Sequence, residues 1–417
     1  MDAYSPSLLE GTAGTPSATP TPGGASAPRP TAGPTPAPAM PAAPMPAAPM
    51  AAAQTGAGAR AGAREALDRM LTELVRAGGS DLHLTTDAAP TIRVHGDLYP
   101  LQGYGALSAE HTSELIRAVL TPEQWLRFEQ DLEYDLAYDV PGVSRFRVNV
   151  FQQRNAYGAV LRSIPHEIKQ LHELGVPEQI ARFAHLPRGL VLVTGPTGSG
   201  KTTTLASLLD LANRTRRDHI VTIEDPIEFV HPHKRCLVNQ REVGVDTSSF
   251  ADALKHVLRQ DPDIILVGEL RDLETVSTAI TAAETGHLVL ATLHTQSAAQ
   301  TVDRVIDIFP PHQQGEIRAQ LSTALQGIVT QALVKRSDGH GRAVVCEVMF
   351  ATPAIRNLIR EGKNHQIPSF MQSSGSDGML TFDQHLAQKV NEGVVLYDQA
   401  LEICHSVEEF KRLAGRI

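Results

Sequence analysis

The chain is poor in the residues that staple, anchor or stack. Its 417 residues include three cysteines and one tryptophan, and aromatic residues make up 5%. Cys236, Cys346 and Cys404 lie far apart, and no pair has metal-ligand spacing. Neither a disulfide framework nor a four-cysteine zinc site is expected, and so sparse a count points to a reducing compartment. No apolar run approaches the about 20 residues of a membrane span. The N-terminus lacks a basic segment followed by an apolar one, so no secretory signal is read. The expectation is a cytoplasmic protein, with attachment to a membrane machine left open. The net charge of −9 gives no bulk attraction for nucleic acid. With Trp125 as the lone tryptophan, there is no evident platform on which single-stranded bases would stack.

Residues 1–60 also lack charge and bulk. Asp2, Glu10, Arg29 and Arg60 are the charged residues there, 13 of the chain's 28 prolines precede residue 50, and MPAAP occurs twice in tandem at 40–44 and 45–49. Such a stretch buries too little apolar surface to offset its ordering entropy. A disordered, proline-stiffened tail is expected, either idle or a tether to a partner.

Order is expected from Arg64. Leu67, Met70, Leu71, Leu74 and Val75 recur at helical spacing, and Gly78-Gly79 stops that helix. Leu82–Leu84 and Thr91–Val94 read as short strands, the second ending in a turn at His95-Gly96-Asp97. A helix fits Ser108–Val119. Ser144–Val150 alternates Phe146, Val148 and Val150 with polar residues, and Tyr157–Ile164 is its expected hairpin partner. These elements make a small α+β domain over 64–165, followed by a linker with helical pieces at 166–187. Strand–helix alternation then sets in, with apolar strands at Leu190–Thr194, His219–Glu224, Ile264–Val267 and His287–Leu293. Strands of this kind are buried on both faces, which predicts a parallel α/β core within 188–417. Beyond Thr301 the expectation is mainly helical, with one strand at Ala343–Met349.

The sharpest motif is Gly195-Pro196-Thr197-Gly198-Ser199-Gly200-Lys201-Thr202, a complete G-x-x-x-x-G-K-[ST] between a strand and a helix that begins by Thr203. Its glycines let backbone N–H groups face phosphates, and the helix N-terminus adds partial positive charge. Lys201 is expected on the β/γ-phosphates of ATP and the Thr202 hydroxyl on Mg²⁺. Asp263–Glu269 has the shape of an apolar strand delivering an acid at its C-terminal end. Gly268 stands where an aspartate is usual, so Glu269 is the acid offered. A second acidic cluster, Glu224-Asp225-Pro226-Ile227-Glu228, follows the strand His219–Ile223. Alone it reads as a solvated turn; after a sheet strand in a phosphate-loop domain it reads as part of the site. His294 falls at a strand's C-terminal end, where it could donate to the γ-phosphate. His287 falls at the opposite end and is the weaker candidate.

Taken together, these residues resemble the secretion ATPases of type II secretion and type IV pilus systems. The stretch Leu258–Asp272, with Asp263-Ile-Ile-Leu-Val-Gly268-Glu269 and Arg271-Asp272, looks like that family's signature. Its Walker A loop, acidic box, Walker B strand and histidine box would be Gly195–Thr202, Ile223–Phe229, Ile264–Glu269 and His287–His294. Ser80–Leu84 and Ile92–Asp97 look like the start of the family's PAS-like domain, and Ala354-Ile-Arg-Asn-Leu-Ile359 matches a motif of its pilus-retraction members.

The resemblance implies a RecA-like ATPase core preceded by a PAS-like domain and ending in helices. It implies a hexameric ring that binds ATP and Mg²⁺ and works on an inner-membrane pilus platform protein at the cytoplasmic membrane face. It further implies that Glu228 and Glu269 orient or activate water, and that His294 contacts the γ-phosphate. Arg147 and Arg162 would approach the nucleotide, although a solvated strand face explains them nearly as well. Arg356 and Asn357 would serve retraction. Neither zinc nor nucleic acid is expected as a partner. An assembly or type II secretion ATPase, an accessory retraction motor and, more remotely, a RecA-like nucleic-acid translocase are the competing readings. The proline-rich tail has no counterpart in the family pattern.

Overall fold

The structure, a computed structural model, describes residues 50–415 apart from His95, Pro165 and His166. The tail expected at 1–60 therefore lies outside the described residues as far as 49, as does part of the turn expected at His95. The first helix spans Met50–Arg76, so it starts before the expected Arg64. Alanine-rich sequence is strongly helix-forming, and here that propensity extends the helix backwards. Leu67, Met70, Leu71 and Leu74 are buried as the spacing predicts, whereas Val75 is exposed. Gly78 takes a left-handed φ of +66° two residues beyond the helix, a conformation glycine adopts without strain.

From Gln54 onward the chain forms one compact unit built on two sheets. The first contains β1 (Asp81–Leu84), β2 (Thr91–Val94), β3 (Asp97–Pro100), β4 (Glu133–Val140), β5 (Ser144–Gln153) and β6 (Ala156–Ile164). Their order is β3-β2-β1-β6-β5-β4, antiparallel throughout. Its apolar face, with Phe146, Val148, Val150 and Leu161, packs against Leu71 and Leu74 of the first helix, Ile116 and Phe128. Ile116 belongs to the helix Ala109–Val119, which Ser108 caps. Phe128 belongs to the helix Pro122–Asp131, closed by a Thr121–Gln124 capping box. That helix and β4 were not expected, although β4 buries alternate residues Leu136, Tyr138 and Val140.

The second sheet contains β7 (Gly189–Thr194), β8 (His219–Glu224), β9 (Leu237–Glu242), β10 (Ile264–Val267), β11 (Leu288–Leu293), β12 (Leu325–Lys335) and β13 (Arg342–Phe350). The order is β13-β12-β7-β11-β10-β8-β9. All neighbours are parallel except β12 and β13. Strands β7, β10 and β11 are buried along their whole length, and each buried Val, Leu or Ile side chain contributes about 1.5–3 kcal/mol. The expected α/β core and helical C-terminus are both found. Beyond Thr301 the chain is mainly helical, and the strand expected at Ala343–Met349 is found as β13, but β12, an eleven-residue strand, was not expected. Its Gln326, Gly327 and Gln331 blur any period, and tertiary packing decides. At Gly327 a Cβ would stand 2.3 Å from the Phe183 ring, so strand and linker meet there only through glycine. Among the described residues no helix is long and apolar enough to cross a membrane.

Candidate functional site

The register of the second sheet decides what its C-terminal edge presents. Thr194 pairs with Leu293, Val267 with Ala291, and Ile223 with Val267. The residues that follow β7, β8, β10 and β11 thus emerge side by side, at the edge where α/β sheets bind ligands. They line a cavity of about 310 Å³ formed by Thr197, Gly198, Lys201 and Thr202 with Glu224, Asp225, Glu228, Glu269, Arg271 and His294, among others. A larger hollow of about 510 Å³ beside Trp125 has mostly apolar walls and no phosphate cradle.

The loop Gly195–Gly200 joins β7 to the helix Lys201–Thr215. Gly195, Gly198 and Gly200 have φ of +139°, +77° and +88°. At Gly195 a Cβ would stand 2.2 Å from the carbonyl oxygen of Gln331, so the position is closed to any other residue. Gln331 Nε2 donates to Ser199 O at 2.7 Å, which ties the loop to β12. Pro196 and Thr197 are exposed, Ser199 is buried and Thr202 and Thr203 are half-buried. The Lys201 ammonium donates to the carbonyls of Gly195 (2.9 Å) and Pro196 (3.1 Å). Burial holds Lys201 below the usual lysine pKa, while the carboxylates of Glu269 and Glu228 pull it back up. Both acids are therefore within electrostatic reach of the phosphate-binding cation.

Partial burial pushes the Glu269 carboxyl up, but the Arg271 guanidinium at 2.8 Å and His294 Nε2 at 3.4 Å outweigh it. The net position is below the usual carboxylate value, so Glu269 is ionised at neutral pH. Glu224 is buried deeper. Burial raises its pKa, against donors from Thr222 Oγ1 (2.6 Å) and Gln240 Nε2 (3.0 Å). Glu224 Oε2 also accepts the backbone N–H of Glu228 at 3.4 Å, and the Glu228 side chain stays exposed beside the cavity. Lys201, Thr202, Glu228, Glu269 and His294 are thus brought together. Their layout can hold a polyphosphate on the loop and place two carboxylates where a water would attack it.

Other candidates fall elsewhere. His287 lies at the far end of β11, its Nδ1 3.0 Å from Ala282 O. Arg147 and Arg162 are cross-strand partners on the polar face of the first sheet. They face Asp135 (3.9 Å) and Asp81 (2.7 Å) respectively, and neither lines the cavity in this chain. Arg356 is not free for a partner. It donates to Ala351 O and Ser322 O at 2.8 Å, to Thr323 O and to Gln326 Oε1 at 3.2 Å, closing the end of the helix Gln314–Ala324. Asn357 stays exposed and donates to Glu361. Sequence reasoning missed Arg271, although it stands two residues after Glu269 within the stretch already singled out. It also missed Gln331 and Gln240, which act across the sheet and leave no local pattern.

The sequence pattern of the type II/IV secretion system protein family matches residues 59–402. The type IV pilus retraction ATPase PilT of Pseudomonas aeruginosa is 51% identical over 344 residues, 82% of this chain and 99% of the relative. The twitching motility protein of Neisseria gonorrhoeae is 48% identical over 311 residues, covering 75% of this chain and 83% of the relative. A crystal structure of the pilus retraction motor PilT with bound ADP is similar at a TM-score of 0.78 and 46% identity, covering 83% of this chain and 98% of that one.

Proposed function

This chain belongs to the type II/IV secretion system protein family, and from that premise we propose that it is an ATP-hydrolysing motor that drives pilus retraction. One observation carries the proposal. Lys201, Thr202, Glu228, Glu269 and His294 meet in a single cavity, in a chain half identical to a retraction ATPase over nearly all of that relative.

ATP is the substrate. Its phosphates lie on the N–H groups of the Gly195–Thr202 loop at the N-terminus of the helix Lys201–Thr215. Lys201 leaves the carbonyls of Gly195 and Pro196 for the β/γ-phosphates. The site fits Mg²⁺ as an ion shared with the nucleotide. The Thr202 hydroxyl would hold it, together with the phosphate oxygens of the nucleotide. When bound, the ion neutralises charge on the β- and γ-phosphates. Glu228 and Glu269 orient the attacking water and accept its proton as its oxygen bonds to the γ-phosphorus. The β–γ bridging bond breaks, giving ADP and phosphate. Arg271 keeps Glu269 ionised for this work, and His294 donates to the γ-phosphate and so distinguishes ATP from ADP.

The two sheets serve as two domains, 64–165 and 188–417, joined by 166–187. Arg147 and Arg162 reach the nucleotide only when the first sheet moves, or from a neighbouring copy. Six copies form a ring at the cytoplasmic face of the inner membrane. Nucleotide-driven swings of one domain against the other pass to the pilus platform protein, and pilins return to the membrane. A strain lacking this protein is expected to keep its pili and lose twitching, with rescue by the wild-type chain and none by Lys201→Ala. Loss of all pili on deletion would show an assembly motor instead.

A further inference from the structure

Arg145 stands on the same polar face of the first sheet as Arg147, and it is the arginine of that face that crosses to the second sheet. Its Nη2 donates to Glu242 Oε2 at 3.1 Å, while Nη1 lies 3.5 Å from Asp139 Oδ2. Glu242 ends β9 and is 4% exposed. The same Oε2 accepts the backbone N–H of Ile227 at 3.3 Å, and Ile227 immediately precedes Glu228. One carboxylate oxygen therefore joins a guanidinium on the first sheet to the amide of the residue just before a proposed catalytic acid.

The rest of Glu242 is fixed. Its N–H donates to Asp246 Oδ2 at 2.9 Å, and its carbonyl accepts from Asp246 N at 2.8 Å. Only the side chain is left to respond when Arg145 moves. Arg145 is itself incompletely satisfied, because its Nε is buried without a partner. Parting the two sheets would give up one contact of a half-met guanidinium rather than a closed network. Downstream, the Glu228 N–H donates to Glu224 Oε2 at 3.4 Å, so two buried carboxylates hold the successive amides of Ile227 and Glu228.

We propose that Arg145 and Glu242 are positioning residues, which place Glu228 for hydrolysis only when the first sheet is docked on the ATPase core. The inference rests on the reading of Glu228 as a water-orienting acid. With the sheet docked, Arg145 fixes Oε2 and Oε2 fixes the Ile227 amide. With the sheet away, the Glu242 carboxylate loses its cation and turns, and the amide shifts with it. A displacement of about 1 Å in a group that orients a nucleophile costs on the order of a hundredfold in rate. Hydrolysis is then confined to one arrangement of the two domains, as a motor requires if turnover and movement are to stay in step.

The test uses the full chain with Arg145→Gln, Glu242→Gln and the double variant. Steady-state ATP hydrolysis is measured alongside binding of a fluorescent ADP analogue, with melting curves to confirm folding. Each single variant is expected to lose about tenfold or more in kcat. KM for ATP and ADP affinity should stay within about threefold, the pattern of a transition-state effect. The double variant should be no slower than the slower single one, because both act through one oxygen. Arg145→Lys should recover part of the loss. An unchanged kcat, a loss confined to nucleotide affinity, or additive losses would overturn the inference. If a single variant fails to fold, the paired Arg145→Met and Glu242→Met chain removes both charges together and avoids a lone buried ion. A wild-type kcat in that folded chain would equally overturn it. Absence of hydrolysis by the wild type would instead contradict the function proposed above.

Discussion

Glu347 is an acid held inside the core. It lies in β13, 5% exposed, and its Oε1 accepts the N–H of Ala298 at 2.5 Å. Ala298 opens the helix that follows the His294 loop. Burial pushes the Glu347 carboxyl from an ordinary 4.5 up to about 7, against the amides of Ala298 and Phe382, with Asp383 adding to the rise. The sign follows from the raised value. The folded state favours the protonated acid, so its contribution is full below about pH 4.5 and is lost as pH rises through about 7. Glu347→Gln mimics the protonated form. The stability of the variant relative to wild type is expected to grow from about pH 4.5 to about pH 7, by on the order of 1–3 kcal/mol. Melting curves across that range would check it, and a pH-independent difference would count against a buried acid here. Gly195 shows the opposite case, a residue whose role is fixed by shape. Its φ of +139° and the Gln331 carbonyl 2.2 Å from any added Cβ leave room for nothing larger.

Among the elements, the helix Pro353–Arg360 is the one whose reading changed most. It carries the segment Ala354–Ile359. Ile355 and Ile359 face the core, and Arg356 binds the last carbonyls of the helix Gln314–Ala324. Arg356→Ala is expected to cost about 1.5–3 kcal/mol, the range for hydrogen bonds to a charged group. Denaturant unfolding would measure it. Asn357→Ala, at an exposed position, should leave stability unchanged and bear on partner contact alone. This division could not be read from the sequence, because the carbonyls lie more than thirty residues away. The phosphate loop, β8, β10 and the acids at their ends could be read, since each is a contiguous run with a strand before the functional residue. Strand β9, which holds Glu242, and β12, which holds Gln331, were not seen. Their amides, charges and glycine follow no clear period, and packing against neighbours fixes them as strands. The paired strands that carry Arg147 and Arg162 could be read, but which arginine touches the second sheet depends on how the sheets meet.

For the molecule as a whole, the central claim is that nucleotide held at one sheet edge is hydrolysed to move two domains. The cavity, the ionised Glu269 and the Arg145–Glu242 contact between the sheets all bear on it. So does membership of a family whose relatives include a retraction ATPase 51% identical to this chain. Three cysteines in the whole sequence are too few to build a four-cysteine zinc site. The most direct measurement is phosphate release from ATP and Mg²⁺ by the purified chain, its Lys201→Ala variant and its Glu269→Gln variant. The account predicts steady release by the wild type and none by Lys201→Ala, which should also fail to bind nucleotide. Glu269→Gln should still bind ATP but turn over on the order of a hundredfold more slowly. Undiminished release by Lys201→Ala would contradict the account at its centre.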